Sequence, residues 1–185
     1  MTMPVNHPDP VLQQLGVSHE VLTARRLPRH AEASELEWVE TGSDGRQYRL
    51  MPAAADAWRR MKAAAAGDGI DLILVSAFRS VARQVEIIEE KLAEGFTIRQ
   101  ILTAIAPPGY SEHHTGRAID IATPDAPDLD IAFAHTPAYA WLARRAGEFG
   151  FSLSYPRGNP HGYQYEPWHW CFHAGEQEGG RQHSV

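Results

Sequence analysis

The run Arg117-Ala118-Ile119-Asp120-Ile121-Ala122 limits what this chain can fold into more than any other stretch. Read as a strand, it puts Ile119 and Ile121 on one face and Ala118, Asp120 and Ala122 on the other. The isoleucine face calls for an apolar layer against it. The opposite face carries a carboxylate between two alanines, whose small side chains leave space beside it. A sheet with one greasy face and one chemically equipped face is the expectation that organises the rest.

Other elements fall into place around this strand. The runs 37–41 and 47–50 flank Gly42-Ser43-Asp44-Gly45, which predicts a β-hairpin. The Ala-rich stretch 52–66, with Trp58 and Met61 three apart, predicts a helix closed by Gly67-Asp68-Gly69. Residues 70–75 form a short, mostly apolar run and predict a buried strand. Ser80 is placed to cap a helix with Val81, Val85, Ile88 and Leu92 on one face and Gly95 as its stop. Thr97 and Gln100 have capping-box spacing for a shorter helix, which ends before the turn Pro107-Pro108-Gly109. Thr136-Pro137 opens a further helix reaching about residue 148. Strands are expected at 151–155 and 168–172, separated by a loop at 156–165. Helices between strands, together with a tight hairpin, indicate an α+β fold rather than a regular βαβ repeat.

The length of 185 residues suits a small single domain. Its expected extent is 36–175, after an N-terminal extension 1–35 and before a polar, mobile tail 176–185. Within the extension, Pro4, Pro8 and Pro10 break the start, and residues 11–15 allow a short helix ending at Gly16. The net charge of −6, with no block of like charge, argues against a nucleic-acid partner. Cys171 is the single cysteine, which excludes an intrachain disulfide and a cysteine zinc finger. No run approaches the ~20 apolar residues of a transmembrane helix, and the N-terminus lacks a basic segment followed by an apolar one. The chain is therefore expected to be soluble and cytoplasmic by default, or periplasmic or exported if its start is processed.

His113 lies just before the Asp120 strand, and Glu166-Pro167-Trp168-His169-Trp170 supplies a second histidine and carboxylate near the end. A catalytic zinc site uses three protein ligands and keeps one position open. His113, Asp120 and His169 provide such a set, provided that His169 comes from an adjacent strand. Glu166, three residues before His169 and stiffened by Pro167, is placed to act as general base and then as acid to a leaving amine. Other hydrolase signatures are incomplete. His19-Glu20-Val21-Leu22-Thr23 ends in Thr where the helical zinc-protease motif needs His, and Gly109-Tyr110-Ser111-Glu112-His113 lacks the closing glycine of a nucleophile elbow. No Ser-x-x-Lys occurs. Adjacent residues of an extended segment point opposite ways, so only one of His113 and His114 is expected to face a metal, with His114 next to the site or on the surface. Cys171 is read as a buried thiol.

Ser111-x-His113-x-x-Gly116-x-Ala118-x-Asp120, with Glu166-Pro167-Trp168-His169 downstream and Ser76-Ala77-Phe78-Arg79-Ser80 upstream, resembles the VanY-type zinc D-alanyl-D-alanine carboxypeptidases. Their fold is shared with D-Ala-D-Ala dipeptidases and the hedgehog signalling domain. The motifs occur in the family's order and span residues 76–170. The resemblance implies a central antiparallel sheet carrying one Zn2+ held by His113, Asp120 and His169, with Glu166 as catalytic base. It implies that Arg79 faces the site and steadies a substrate carboxylate or oxyanion, that Ser111 lines the substrate site, and that Gln84 lies near it. His114 stands where Gln is more usual, and Phe78 where Tyr is common.

The implied activity is hydrolysis of the bond before a C-terminal D-amino acid, with peptidoglycan-derived peptides as substrate. The same scaffold accommodates an L,D-carboxypeptidase, a D,D-dipeptidase or an endolysin-like endopeptidase. A non-catalytic zinc-containing binding module is the reading from another class; a pure binder has no need of Glu166.

Overall fold

The computed structural model describes residues 9–173. The expected polar tail at 176–185 lies outside them. The fold is α+β, with helices on both sides of antiparallel sheet. Two short helices, α1 (Pro10–Gln14) and α2 (His19–Ala24), precede the hairpin β1 (Glu37–Thr41) and β2 (Gln47–Leu50). The long helix α3 (Pro52–Gly67) follows, then β3 (Ile73–Ser76), α4 (Val81–Ala93) and α5 (Ile98–Ile101). The second half supplies β4 (Ala118–Ala122), α6 (Pro137–Arg145), β5 (Phe151–Leu153) and β6 (His169–Phe172).

Local chemistry starts the helices where the sequence predicts. Ser80 Oγ accepts from the amide of Arg83 at 3.0 Å, and Thr136 Oγ1 from that of Tyr139 at 3.1 Å. Thr97 and Gln100 form a reciprocal capping box. Each contact satisfies a donor that the first turn leaves free.

The four-stranded sheet runs β3-β4-β6-β5, antiparallel throughout. Ile119, Ile121, Trp170 and Phe172 pack on one face against Trp58 and Met61 of α3 and Trp141 and Leu142 of α6. Burying side chains of this size contributes about 1.5–3 kcal/mol each. The predicted strand at 70–75 is shorter and later, at Ile73–Ser76. It is also not fully buried, because β3 is an edge strand and Ile73 remains 37% exposed.

A second cluster lies apart from the first. Leu12, Leu15, Val17, Leu22 and Leu27 pack against Ile88, Ile101, Leu102, Tyr155 and Tyr163. After Leu27 the chain straps across the segment that precedes β4. His30 N donates to Gly109 O and Ala33 N to His114 O, both at 2.8 Å, and Glu32 accepts from the amide of Val81.

Candidate metal centre

The segment before β4 is a 3-10 turn, Glu112–Thr115, rather than an extended approach. Gly116 ends it with φ 65. A Cβ at that position would lie 2.9 Å from Met51 N and 3.0 Å from Leu36 Cδ2, so the turn requires glycine both for its φ and for space. The turn turns His113 inward over β4. In the sheet, Asp120 pairs with His169 on one side and with Ser76 on the other. A bulge between the Leu74–Ile121 and Ser76–Asp120 pairs brings Ser76 into that row. Ser76, Asp120 and His169 therefore lie in line across three strands.

His113 Nε2 is 3.1 Å from Asp120 Oδ2, and His169 Nδ1 is 3.0 Å from Asp120 Oδ1. One donor atom from each of the three buried residues falls within 4.8 Å of the others. Tetrahedral zinc with bonds of about 2.0–2.1 Å sets its donors roughly 3.3 Å apart, so the cluster matches what that ion needs. The outer contacts fix the ring orientations. His113 Nδ1 donates to Ala77 O at 2.7 Å, which leaves the Nε2 lone pair for the cluster. His169 Nε2 lies 2.9 Å from Glu112 Oε2, which leaves Nδ1 beside Asp120. The two imidazoles meet edge to face, 4.9 Å apart at 87°.

The charges respond to one another. Burial would push Asp120 up, but the two imidazoles beside it hold its carboxyl far below the usual range. Burial disfavours a charged His169, yet its hydrogen bonds to Asp120 and Glu112 outweigh that and raise it. Glu112, also penalised by burial, is brought down to about 2 by His169. Burial lowers His113, with Asp120 opposing it.

The other predicted residues line the same cleft: Arg79, Gln84, Ser111 and Glu166. Arg79 donates from Nη2 to Ser76 Oγ at 3.0 Å and from Nη1 to Gln84 Oε1 at 3.1 Å, with Nη2 3.9 Å from Asp120 Oδ2. Gln84 is fully buried and donates to Ala106 O at 2.6 Å. Position 84 lies on the same stripe of α4 as Val81 and Ile88, so it turns inward rather than to solvent. Burial pushes Glu166 up to about 7; Asp120 adds to the rise while His169 and Arg79 oppose it.

Two residues have larger parts than the sequence suggested. Glu112 orients His169, although it sits 57 positions away in the chain. His114 is fully buried, not on the surface. Its Nδ1 donates to Arg79 O at 2.6 Å, and its Nε2 accepts from Gly109 N at 3.1 Å. Only the position beside a motif histidine hinted at either. Cys171 is a buried thiol outside the donor cluster. Tyr155 packs on His169, ring centroids 4.7 Å apart.

A buried His-Asp-His donor set beside an antiparallel sheet, with a carboxylate and an arginine in the same cleft, has the form of a metallopeptidase site. The chain belongs to the VanY D-alanyl-D-alanine carboxypeptidase family, whose model matches residues 47–175. It is 33% identical over 163 residues to a D-alanyl-D-alanine carboxypeptidase of Enterococcus faecalis (strain ATCC 700802 / V583), covering 82% of this chain and 57% of that one. Among solved structures it is similar to the LD-carboxypeptidase LdcB, with TM-score 0.68, 32% identity, and 78% and 71% of the two chains covered. It is also similar to VanYB in complex with D-alanine-D-alanine, with TM-score 0.61, 31% identity, and coverage of 79% and 80%. The chain spans about half the length of curated relatives it matches, 43% of one from Bacillus subtilis (strain 168) and 57% of the Enterococcus protein. Among the described residues, no helix is long and apolar enough to cross a membrane.

Proposed function

We propose that the chain is a zinc-dependent D,D-carboxypeptidase that removes the C-terminal D-alanine of peptidoglycan-derived peptides. His113, Asp120 and His169 hold the ion, Glu166 is the general base, and Arg79 binds the substrate carboxylate. The observation that carries this reading is the convergence in one cleft of the three-donor cluster with a buried, high-pKa Glu166 and a braced Arg79. Zinc bound there supplies a Lewis acid that polarises a carbonyl and lowers the pKa of water to about 7. Glu166 takes a proton from the attacking water and hands it to the leaving amine nitrogen. A binding module has no use for such a base. Arg79 commits one N–H to Ser76 and another to Gln84, leaving the rest of its fork for a carboxylate or developing oxyanion. Ser111 lines the substrate site, and Gln84 serves it by holding Arg79.

A second reading is supported by the likeness to LdcB: an L,D-carboxypeptidase acting on tetrapeptides. Mass analysis of products from penta- and tetrapeptide muropeptides, with and without a chelator, separates the two. Loss of one alanine from the pentapeptide alone supports D,D cleavage; loss from the tetrapeptide supports L,D cleavage. Zinc-loaded protein that cleaves neither would overturn the assignment.

A further inference from the structure

The cleft has two walls formed by loops rather than by the sheet. Ala104, Ile105 and Ala106 follow α5 on one side, while Tyr163 and Gln164 lie on the other. One backbone bond joins these walls directly, from Gln164 N to Thr103 O at 2.8 Å. The second connection comes from outside the segment matched by the family model, which begins at residue 47.

Arg25 stands at the C-cap of α2. Its Nε donates to His161 O and its Nη1 to Leu102 O, each at 2.6 Å. Its own carbonyl lies 3.3 Å from His161 Nδ1, so the same residue is held twice. The guanidinium sits 4.3 Å from the centroid of the Tyr163 ring. Tyr163 packs on Tyr155 at 4.7 Å, and Tyr155 packs on His169 at the same separation. A guanidinium presents its donors in a rigid fork, so bonding two carbonyls fixes their separation.

We infer that Arg25 is a positioning residue: it clamps the loop after α5 to the loop before Glu166 and so sets the shape of the substrate cleft. It touches neither the donor cluster nor Glu166. Glu166 is anchored separately, its amide donating to Tyr155 O at 3.1 Å. Loss of the clamp therefore acts on substrate binding more than on the chemical step. This consequence for peptides rests on the carboxypeptidase reading; the clamp itself does not.

The test compares the zinc-loaded wild-type chain with Arg25→Ala, Arg25→Lys and Leu15→Ala. Leu15 is buried in the same apolar cluster but makes no hydrogen bond to a cleft wall, so its truncation loosens the packing while leaving the Arg25 bonds in place. The readouts are peptide kinetics on a pentapeptide ending in D-Ala-D-Ala, and amide exchange at 102–106 and 161–165. Arg25→Ala is expected to raise KM about tenfold, kcat staying within about twofold, the pattern left by losing binding common to the ground and transition states. Exchange should quicken in both loops together. Arg25→Lys, whose amine lacks the fork, should fall between. Leu15→Ala should lower the melting temperature and leave KM unchanged. An unchanged KM, or unchanged exchange in the two loops, in Arg25→Ala would overturn the inference. If wild type cleaves no peptide, the functional reading fails, and exchange alone decides the clamp.

Discussion

Glu112 and His169 are joined by a 2.9 Å contact between Oε2 and Nε2, so a carboxylate from the turn before β4 holds the ring of a residue on β6. That contact determines which imidazole nitrogen is offered to the cluster. Outer partners of this kind typically contribute 10–100-fold to metal affinity. Glu112→Ala should weaken zinc binding by about that factor, and Glu112→Gln by less, because an amide oxygen still accepts. Competition against a chromophoric chelator measures both. Equal affinity in Glu112→Ala and wild type would remove the orienting role.

Zinc binding should release about one proton per ion near pH 7.5, because a metal ligand must surrender its proton. In the metal-free protein His169 is raised by Asp120 and Glu112, against the effect of burial. Its contribution to stability is thus fully present below the unfolded value of about 6.5 and is lost as pH rises through the folded value. A metal held by the proposed ligands would displace that proton. Calorimetric titration in two buffers of different ionisation enthalpy counts the protons. A binding enthalpy independent of buffer would contradict the prediction.

Glu166→Ala should retain zinc and lose about 10²–10⁴-fold in kcat, the usual contribution of a general base. In the proposed mechanism the base acts as its ionised carboxylate, so kcat/KM should fall as pH drops through its pKa. Burial holds Glu166 at about 7 in the metal-free chain, and a nearby dication favours the ionised form. The acid limb of the zinc enzyme should therefore lie below 7. Metal analysis beside a pH–rate profile checks both statements.

Gly116→Ala should destabilise the protein by about 1–3 kcal/mol, since a side chain there is strained at positive φ and also meets Met51 and Leu36. Chemical denaturation of the metal-free protein isolates this from any effect on zinc. A midpoint equal to wild type would show that the turn adapts.

Elements governed by neighbours in sequence were legible. Ser80, Thr97 with Gln100, and Thr136 cap helices through contacts three residues long, so their spacing sufficed. The alternation in 118–122 likewise predicted the face of Asp120. What depended on distant partners was not legible. The apolar run from Ile70 does not reveal that pairing begins at Ile73, or that among the described residues β3 has a neighbour on one side only. Gln84 looks like an ordinary polar helix residue until Arg79 and Ala106 are placed against it. Glu112 and His114 belong to a 3-10 turn, where the side-chain directions of an extended segment do not apply. Residues 9–27 bury leucines in two short helical pieces, too brief for a periodic pattern, and the second is capped by Ser18.

With the proposed ligand set, the row formed by Ser76, Asp120 and His169 would make a bound metal a sensor of strand register. Slipping β6 by one residue against β4 would turn His169 toward the helices and bring Trp170 into the cleft. Such a state has no third donor. An ion that binds only the correctly paired sheet favours it over the slipped one in proportion to its occupancy. Zinc added during refolding should thus select among sheet pairings as well as equip the finished site.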